Sequence, residues 1–343
     1  MKKIILVSSL IFATILLTSF YIQEKEVLEI KKTDTVSEVL EKLGDRKIPH
    51  QPNLNLRGAS AEAGAELALY GITNNRKGKK TKKQSKHFVC TSCHNTVKEN
   101  PDLRSTDSQA RLEYAKENGL PFLQATTLHG IVNRTSFYNG DYDKKYGKLV
   151  DKARHNIREA IQLCAVECAQ GRKLKSWELE SVLAWLWTLE LKMEDLNLSE
   201  EKYADINQSL NGDEKSKAAA IDLIKSHYLQ DSPATFTLPP DDRKKGYGLK
   251  GNPENGKLVY ELSCQHCHKD KRYSYFNLDD AKTTFQYLKK HFPKYTRYSI
   301  YQVGRYGTPP MNGKKAYMPQ YTQEKMSNQQ MEDLRAYIEQ QAK

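Results

Sequence analysis

The chain has 343 residues, 38% of them hydrophobic, and a formal net charge of +12. A mean hydropathy of −0.74 excludes a protein with many membrane spans, and the length suffices for two ordinary domains with cores of their own. The excess of positive charge favours an acidic protein partner or a small anionic substrate.

Residues 1–20 are predicted to direct export. Lys2 and Lys3 precede an apolar run from Ile4 to Phe20, which is the order of the charged and hydrophobic regions of a signal peptide. Without a small-x-small cleavage site, the same run is also interpreted as an uncleaved N-terminal membrane anchor, since it is near the shortest length that spans a bilayer. Either reading places the rest of the chain in the periplasm, and residues 21–59 are predicted to be a polar spacer.

The first predicted domain covers residues 60–195 and opens with a helix from Ala61 to Tyr70. A basic run at residues 76–83 follows and is typical of a solvated loop. Next comes Cys90-Thr-Ser-Cys93-His94, a C-x-x-C-H motif. This spacing is the attachment signature of a c-type haem, in which two thiols add to the vinyl groups and the histidine ligates the iron.

The first domain has no methionine between His94 and Met193 to serve as a second axial ligand. The remaining candidates are Cys164, Cys168, His129, His155, a lysine and Met193, or the site is open. The loop at residues 129–140 is expected to line the first haem and to present His129 or Arg134 to it.

Cys164 and Cys168 lie four residues apart on a helix predicted from Asn156 to Ala169. Three interpretations remain open: Cys164 ligates iron, the two thiols form a disulfide, or both are buried thiols. A helix from Ser176 to Asp195 then ends the domain, and residues 196–246 are predicted to be a linker with one helix at residues 215–228.

The second predicted domain covers residues 247–343 and contains the second motif, Cys264-Gln-His266-Cys267-His268. We expect His266 to be a bystander that points away from the iron. The first helix follows Pro253, and the last begins at Ser327 with Gln330 completing a capping box.

No regular strand pattern occurs, so the fold is predicted to be mainly α, with two helical domains that each surround one covalent haem. Two C-x-x-C-H motifs in one chain make coincidence negligible. The competing interpretation, a structural zinc site built from both C-x-x-C pairs, does not require a histidine after each second cysteine.

The second domain resembles the class I cytochrome c fold in its order of helix, C-x-x-C-H motif, Met-Pro loop and terminal helix. The resemblance implies that Met318, in Met318-Pro319, is the sixth iron ligand, with Met311 as the alternative. It also implies that the first and last helices cross, with Gly256 and Tyr337 as the candidate pair. Met326 and Met331 are expected in the core or on the surface of the last helix.

The segment from Cys164 to Glu178 resembles the distal-ligand region of the SoxA and thiosulfate dehydrogenase family of dihaem cytochromes. The positions that carry this resemblance are Cys164, Gly171, Leu174, Ser176 and Glu178. It implies that Cys164 ligates the iron of the first haem and would be the catalytic residue if the chain is an enzyme.

Three positions depart from that family. Ala160, Cys168 and Asp270 stand where the family has an arginine, a serine and, in thiosulfate dehydrogenases, a glutamine. The resemblance therefore supports His/Cys ligation and domain architecture better than it supports thiosulfate oxidation. Cationic contacts to an anion would have to come from elsewhere, and the candidates are Arg134, Arg154, Arg158 and Arg172.

Together these features predict an exported dihaem c-type cytochrome that transfers electrons to a redox protein partner. The alternative is an enzyme that converts thiosulfate to tetrathionate at the first haem, with a small anionic sulfur compound as substrate. A dihaem peroxidase is a third and weaker possibility. Nucleic-acid binding is not expected of an exported haem protein.

Overall fold

The computed structural model describes residues 29–308 and 318–343. This part of the chain is mainly helical, and its only extended pairing consists of two isolated bridges, Thr35 with Lys192 and Asn74 with Lys80. The predicted mainly α class is confirmed.

The α-helices of the described residues are numbered in chain order. They are α1 (Val36–Lys42), α2 (Ala61–Tyr70), α3 (Ser108–Glu117), α4 (Asp143–Tyr146), α5 (Ile157–Leu163), α6 (Ser176–Trp187), α7 (Glu200–Ser209), α8 (Glu214–Lys225), α9 (Pro253–Val259), α10 (Gln265–His268), α11 (Lys282–His291), α12 (Ile300–Tyr306) and α13 (Asn328–Gln341). Two π-helical segments continue α5 and α9, at Cys164–Cys168 and Tyr260–Cys264. Short 3₁₀ turns lie at Cys90–Ser92, Ile131–Asn133, Gly140–Tyr142, Gly147–Val150, Met193–Leu196 and Lys269–Lys271.

Several helix ends match the sequence-based expectations. The helix from Ala61 to Tyr70 has the predicted bounds. Pro253 opens α9, and Ser327 with Gln330 forms the capping box of α13. The helix predicted from Ser176 to Asp195 ends earlier, at Trp187, because a loop and the 3₁₀ turn at Met193–Leu196 follow it.

Two close helix crossings, each built on a glycine, organise the two halves of the chain. In the first, α2 crosses α6, and a Cβ on Gly64 would overlap the carbonyl of Ser181. In the second, α9 crosses α13, and a Cβ on Gly256 would overlap the carbonyl of Asp333. Only glycine permits backbones to approach this closely.

An aromatic residue follows the contact point by four residues in both crossings. It is Trp185 after Ser181 and Tyr337 after Asp333. Gly256 itself meets backbone, whereas Tyr337 packs one turn further along, against Tyr260. The predicted crossing is therefore present, with the aromatic ring stacked beside the glycine contact.

Buried apolar side chains form three cores. The first surrounds α2 and α6 and includes Leu67, Ile157 and Leu183. The second surrounds α9, α11 and α13 and includes Tyr260, Phe285 and Met331. The third joins segments that are distant in sequence, and its members include Ile30, Val36, Val39, Leu43, Met193, Ile206 and Ile224.

The third core changes the interpretation of the predicted spacer and linker. Within the spacer, α1 begins at a capping box on Thr35 and buries Val36 and Val39 completely. The linker contains two helices, α7 and α8, of which α8 corresponds to the one expected at residues 215–228. The spacer from residue 29 onward and the linker are both parts of the fold, because each covers the apolar face of the other.

The two halves also pack directly against each other. Leu112 of α3 and Phe122 are fully buried in the second core, although both belong to the first predicted domain. The Phe122 amide donates to the carbonyl of Leu262 over 2.9 Å. The segment 108–123 therefore forms a bridge between the halves.

No helix in the described ranges is long and apolar enough to cross a membrane. The predicted signal peptide or anchor at residues 1–20 lies outside the described residues.

Replacing Gly256 with alanine should destabilise the protein by about 1–3 kcal/mol, because the new methyl group would force α9 away from α13. Gly140→Ala is the matched control, since a Cβ there meets no atom within 4 Å. Urea unfolding followed by circular dichroism measures both. Equal midpoints for the two variants would contradict the proposed close crossing.

Candidate functional site

The first C-x-x-C-H motif lies on the wall of a large cavity of about 240 Å³. On this scale one water molecule needs roughly 10–15 Å³, so the cavity has room for a group far larger than a water. Cys90, Cys93 and His94 line it, together with mostly apolar side chains that include Leu67, Phe88, Ile131, Phe137, Val182, Trp185 and Leu186. This is the shape and chemistry that a planar apolar cofactor requires.

The His94 ring is held in one orientation by the backbone. Its Nδ1 lies 2.6 Å from the carbonyl oxygen of Thr126. A carbonyl only accepts, so Nδ1 carries the proton and Nε2 keeps a free lone pair. Burial lowers the pKa of His94, which favours the neutral imidazole. A histidine held in this way is prepared to ligate a metal, because the second ring nitrogen of a ligand is usually fixed by such an acceptor.

The second motif repeats this arrangement. His268 donates from Nδ1 to the carbonyl of Phe276 over 2.8 Å, and burial lowers the pKa of His268. Cys264 and Phe276 pack against the second core, and Met318 packs against the same core. The Met318 amide donates to Thr308 Oγ1 over 2.8 Å, which ties the Met-Pro segment to the end of α12.

Met326 and Met331 were expected to be core or surface residues, and both are core residues. Met326 and Met331 are buried in the second core, and Met331 lies against Gly304. Met311, the alternative ligand, lies outside the described residues.

The motif cysteines are protonated thiols in apolar surroundings. Burial raises the pKa of Cys90 and of Cys267 to about 11 and that of Cys264 to about 12, and it raises the pKa of Cys93 as well. In the described residues no three His, Cys, Asp or Glu side chains converge as a metal site.

Cys164 and Cys168 lie on the wall of the same cavity as the first motif. No disulfide joins any of the six cysteines, all of which are described. A hydrogen bond with Cys168, followed by burial, raises the pKa of Cys164. The π-helical turn brings both thiols to the same face, and such turns occur frequently at functional sites.

Of the predicted candidates for the sixth ligand of the first site that the structure describes, only these two cysteines line the cavity. His129 lies beside Asp195, at 3.5 Å from its carboxylate. His155 is exposed and bonds the Thr135 carbonyl, and Met193 is buried in the third core. Among the described residues of the cavity wall there is neither a lysine nor a methionine. Of the loop at residues 129–140, Arg134 reaches the cavity and His129 does not.

Residues that carry the resemblance at positions 164–178 fix the cysteine turn in place. Gly171 packs so closely on the backbone of Gln84 that a Cβ would overlap it, and Gln84 donates to the Ala165 carbonyl over 2.8 Å. The fully buried Glu178 accepts two hydrogen bonds of 2.7 Å from Arg172. The turn bearing Cys164 is thus anchored to the segment just before the first motif.

A wall of aromatic rings completes the cavity on the side of Cys168. Tyr138, Tyr142 and Tyr146 line it, with Phe236 packed edge-on against Tyr142 at 5.1 Å. Tyr146 interacts through its hydroxyl with Cys168. Tyr138 belongs to the loop that was expected to line the first haem, whereas Tyr142 and Tyr146 were not predicted, although the regular spacing of four residues was a visible signal.

The two C-x-x-C-H motifs lie against each other. The His266 ring interacts with the backbone at Ser92 in the middle of the first motif, and Cys267 is close enough to Cys93 to raise its pKa after the larger effect of burial. Phe88 and Tyr273 extend the contact, with ring centroids 6.4 Å apart. His266 therefore lies in the contact between the two motifs, and this role was not predicted from the sequence.

Behind the first motif lies a buried ionic cluster centred on Glu99. Its carboxylate accepts from Arg111 (3.1 Å), from Lys325 (2.8 Å) and from the Thr127 amide (3.0 Å). A fourth donor is Asn95, at 3.1 Å. Burial alone would raise the pKa of Glu99, but the charges and hydrogen bonds of Arg111 and Lys325 outweigh it and hold the pKa well below its usual range.

No family model matches the chain, and neither a curated protein nor a solved structure matches it.

Glu99→Gln should cost about 3–5 kcal/mol of stability at pH 7, because it leaves two buried cations without their anion. Because the folded pKa of Glu99 is depressed, its contribution is complete above the unfolded value of about 4.3 and is lost as the pH falls below it. The difference between wild type and variant should therefore shrink in acid. Urea unfolding at pH 7 and at low pH measures it.

Glu339→Gln is the control, since this carboxylate pairs with Arg335 at the surface and should contribute about 1 kcal/mol or less. If both variants lose the same stability at pH 7, the buried cluster does not have the proposed role.

Proposed function

We propose that the chain is an exported dihaem c-type cytochrome that carries electrons between two covalently attached haems and a redox protein partner. Each haem would supply a one-electron couple at its iron. Cys90 and Cys93 would attach the first and Cys264 and Cys267 the second.

The observation that carries this proposal is the matched state of the two motif histidines. His94 and His268 both donate from Nδ1 to a backbone carbonyl and both present an unprotonated Nε2. His155 and His227 also place Nδ1 on a backbone carbonyl, but only His94 and His268 follow a C-x-x-C pair in the sequence. The free nitrogen is what an axial ligand must offer.

The repeated helix crossing supports two cytochrome c-like domains. Gly64 and Gly256 each bring an early helix against a late one, and each pair encloses one C-x-x-C-H motif in the chain. The first half differs by a longer segment between its glycine and its motif. That segment carries the basic loop at residues 76–83.

The two sites are proposed to be unequal. At the second, Met318 packs against the same core as Cys264 and Phe276, and His268 bonds the Phe276 carbonyl, which fits the His/Met ligation of an electron-transfer module. At the first, the thiols in the cavity wall make Cys164 the favoured sixth ligand. Iron binding would remove its proton, because a thiol coordinates as the thiolate. A thiolate ligand lowers the reduction potential, whereas a thioether raises it.

Contact between the motifs supports electron exchange within the chain. Cys93 and Cys267 would each attach one haem, and the interaction of His266 with Ser92 holds the two motifs that carry them against each other. The net charge of +12 favours an acidic redox partner.

The second candidate is a thiosulfate dehydrogenase-like enzyme with Cys164 as its catalytic residue. Cys164 and the cationic Arg134 line the same cavity, which is what favours this candidate. In that reaction each of two thiosulfates loses one electron and the sulfurs join as tetrathionate. The departures at Ala160, Cys168 and Asp270 weigh against it.

Protein produced with a haem-attachment system should carry two haems per chain, visible as two haem increments in intact mass after denaturation. The double variant Cys90→Ala/Cys93→Ala should carry one, and so should Cys264→Ala/Cys267→Ala. Cys168→Ser should keep both. A wild-type chain without any haem increment would refute the proposal.

Cys164→Gly should abolish the low-spin thiolate signal of the first haem in electron paramagnetic resonance. Cys168→Ser, which introduces the residue of the resembling family, should retain it. An unchanged signal in Cys164→Gly contradicts the ligand assignment. Reduction of the wild type by thiosulfate would favour the enzyme, and its failure would favour the carrier.

A further inference from the structure

A second, smaller cavity of about 40 Å³ adjoins the first one on the side of His94. On the scale of roughly 10–15 Å³ per water, it has room for about three waters or a few polar atoms. Thr126 and Arg134 line both cavities. Arg134 therefore stands in the wall between the proposed haem site and this polar pocket.

Positive charge is in excess around the small cavity. Its wall contains three cations, Arg111, Arg134 and Lys325, and two carboxylates, Glu99 and Glu324. Glu99 is fully engaged by its four donors, and Glu324 accepts from the Thr235 amide over 2.9 Å.

Arg134 is the cation without an anionic partner. Its side chain makes no hydrogen bond or ion pair with any described residue, and its Nη1 is buried. Burial lowers its pKa, and Glu99, Tyr142 and Asp231 oppose this only at longer range. Arg134 as a whole is half-buried, and a buried guanidinium nitrogen without a partner is costly. No described residue supplies an anionic partner for the Arg134 guanidinium.

One further buried guanidinium nitrogen without a partner, Arg111 Nε, belongs to a residue on the wall of the same small cavity. Guanidinium nitrogens in a wall with excess positive charge match an oxyanion or a carboxylate.

We propose that Arg134 is an anion-binding residue that receives a carboxylate or a similar oxyanion at the border of the two cavities. The source we favour is a propionate of the first haem, because Arg134 lines the cavity of the first motif. The planar fork of arginine suits a carboxylate better than a lysine ammonium does. This inference rests on the proposed haem attachment.

A paired propionate gives Arg134 a measurable electrostatic role. The guanidinium offsets negative charge beside the iron and so favours the reduced state. Its removal should lower the potential of the first haem and leave the second unchanged.

The test compares wild type, Arg134→Gln and Arg134→Lys as purified holoproteins. Haem content is determined first by intact mass, and the potentials of both haems are then measured by spectroelectrochemistry. Arg134→Gln should shift the redox equilibrium of the first haem about tenfold, which is about 59 mV for one electron. Arg134→Lys should recover part of the shift, since it keeps the charge without the fork.

Arg243→Gln is the matched control. Arg243 is also buried with an unpartnered Nε, but it stacks on Tyr295 at 3.8 Å in the second half of the chain. It should leave the potential of the first haem unchanged.

Sulfate titration distinguishes the sources of the anion. If a propionate occupies the site, sulfate should not move the wild-type potential. If a free oxyanion occupies it, sulfate should shift the potential of the wild type and not that of Arg134→Gln. Either result supports the anion site and identifies its occupant.

Two results overturn the inference, and they are distinguishable. A wild type without covalent haem refutes the proposed function and this site with it. Two haems per chain, with a first-haem potential unchanged in both Arg134 variants and no sulfate response, refute the site alone. Should Arg134→Gln fail to fold, Arg134→Lys and the sulfate titration still decide.

Discussion

The buried carboxylate of Glu99 is the interaction on which the arrangement of the two halves depends. It takes hydrogen bonds from the segment behind the first motif, from Arg111 on the bridging helix α3 and from Lys325 in the second half. Its exposed fraction is 1%. At this depth an unpaired carboxylate is too costly to persist, so all of these segments must come together for the chain to fold.

The same cluster connects stability with the proposed chemistry. The Thr127 amide donates to Glu99, and the carbonyl of its neighbour Thr126 accepts a hydrogen bond from His94 Nδ1. The orientation of His94, the proposed axial ligand of the first haem, therefore depends on a loop that Glu99 holds. The excess positive charge around the cluster reaches the first cavity through Arg134. The hydrogen bonds and ion pairs of Glu99 therefore affect both the packing between the halves and the charge around the first site.

The crossing of α2 with α6 resembles the crossing of α9 with α13, but the side chains around the two C-x-x-C-H motifs differ. Around the second motif the aromatic and methionine side chains pack into a continuous core, and Met318 is part of it. Around the first motif the cavity wall holds Cys164, Cys168 and three tyrosines. The proposed division of labour follows from these walls, because a similar histidine would face a soft thioether in one site and a thiol in the other.

Several features of the fold and the site were predictable because they depend on neighbours in sequence. The capping box at Ser327 and Gln330, the helix from Ala61 to Tyr70 and the buried stripe of α13 are set by local spacing. The spacer and linker were misjudged for a physical reason. Val36, Ile206 and Ile224 are few and widely separated, so each segment alone has too little apolar surface to indicate a core.

By itself, the sequence determined the two C-x-x-C-H motifs and the pair Cys164 and Cys168, from which the proposed sixth ligand of the first haem comes. These motifs are defined by spacing along the chain, so they can be recognised without knowledge of the fold. Only the tertiary structure decided that the motifs touch at His266, that His129 and Met193 lie away from the first cavity, and that Arg134 lines it. These outcomes depend on contacts between residues far apart in the chain, and no periodicity in the sequence encodes which distant surfaces will meet.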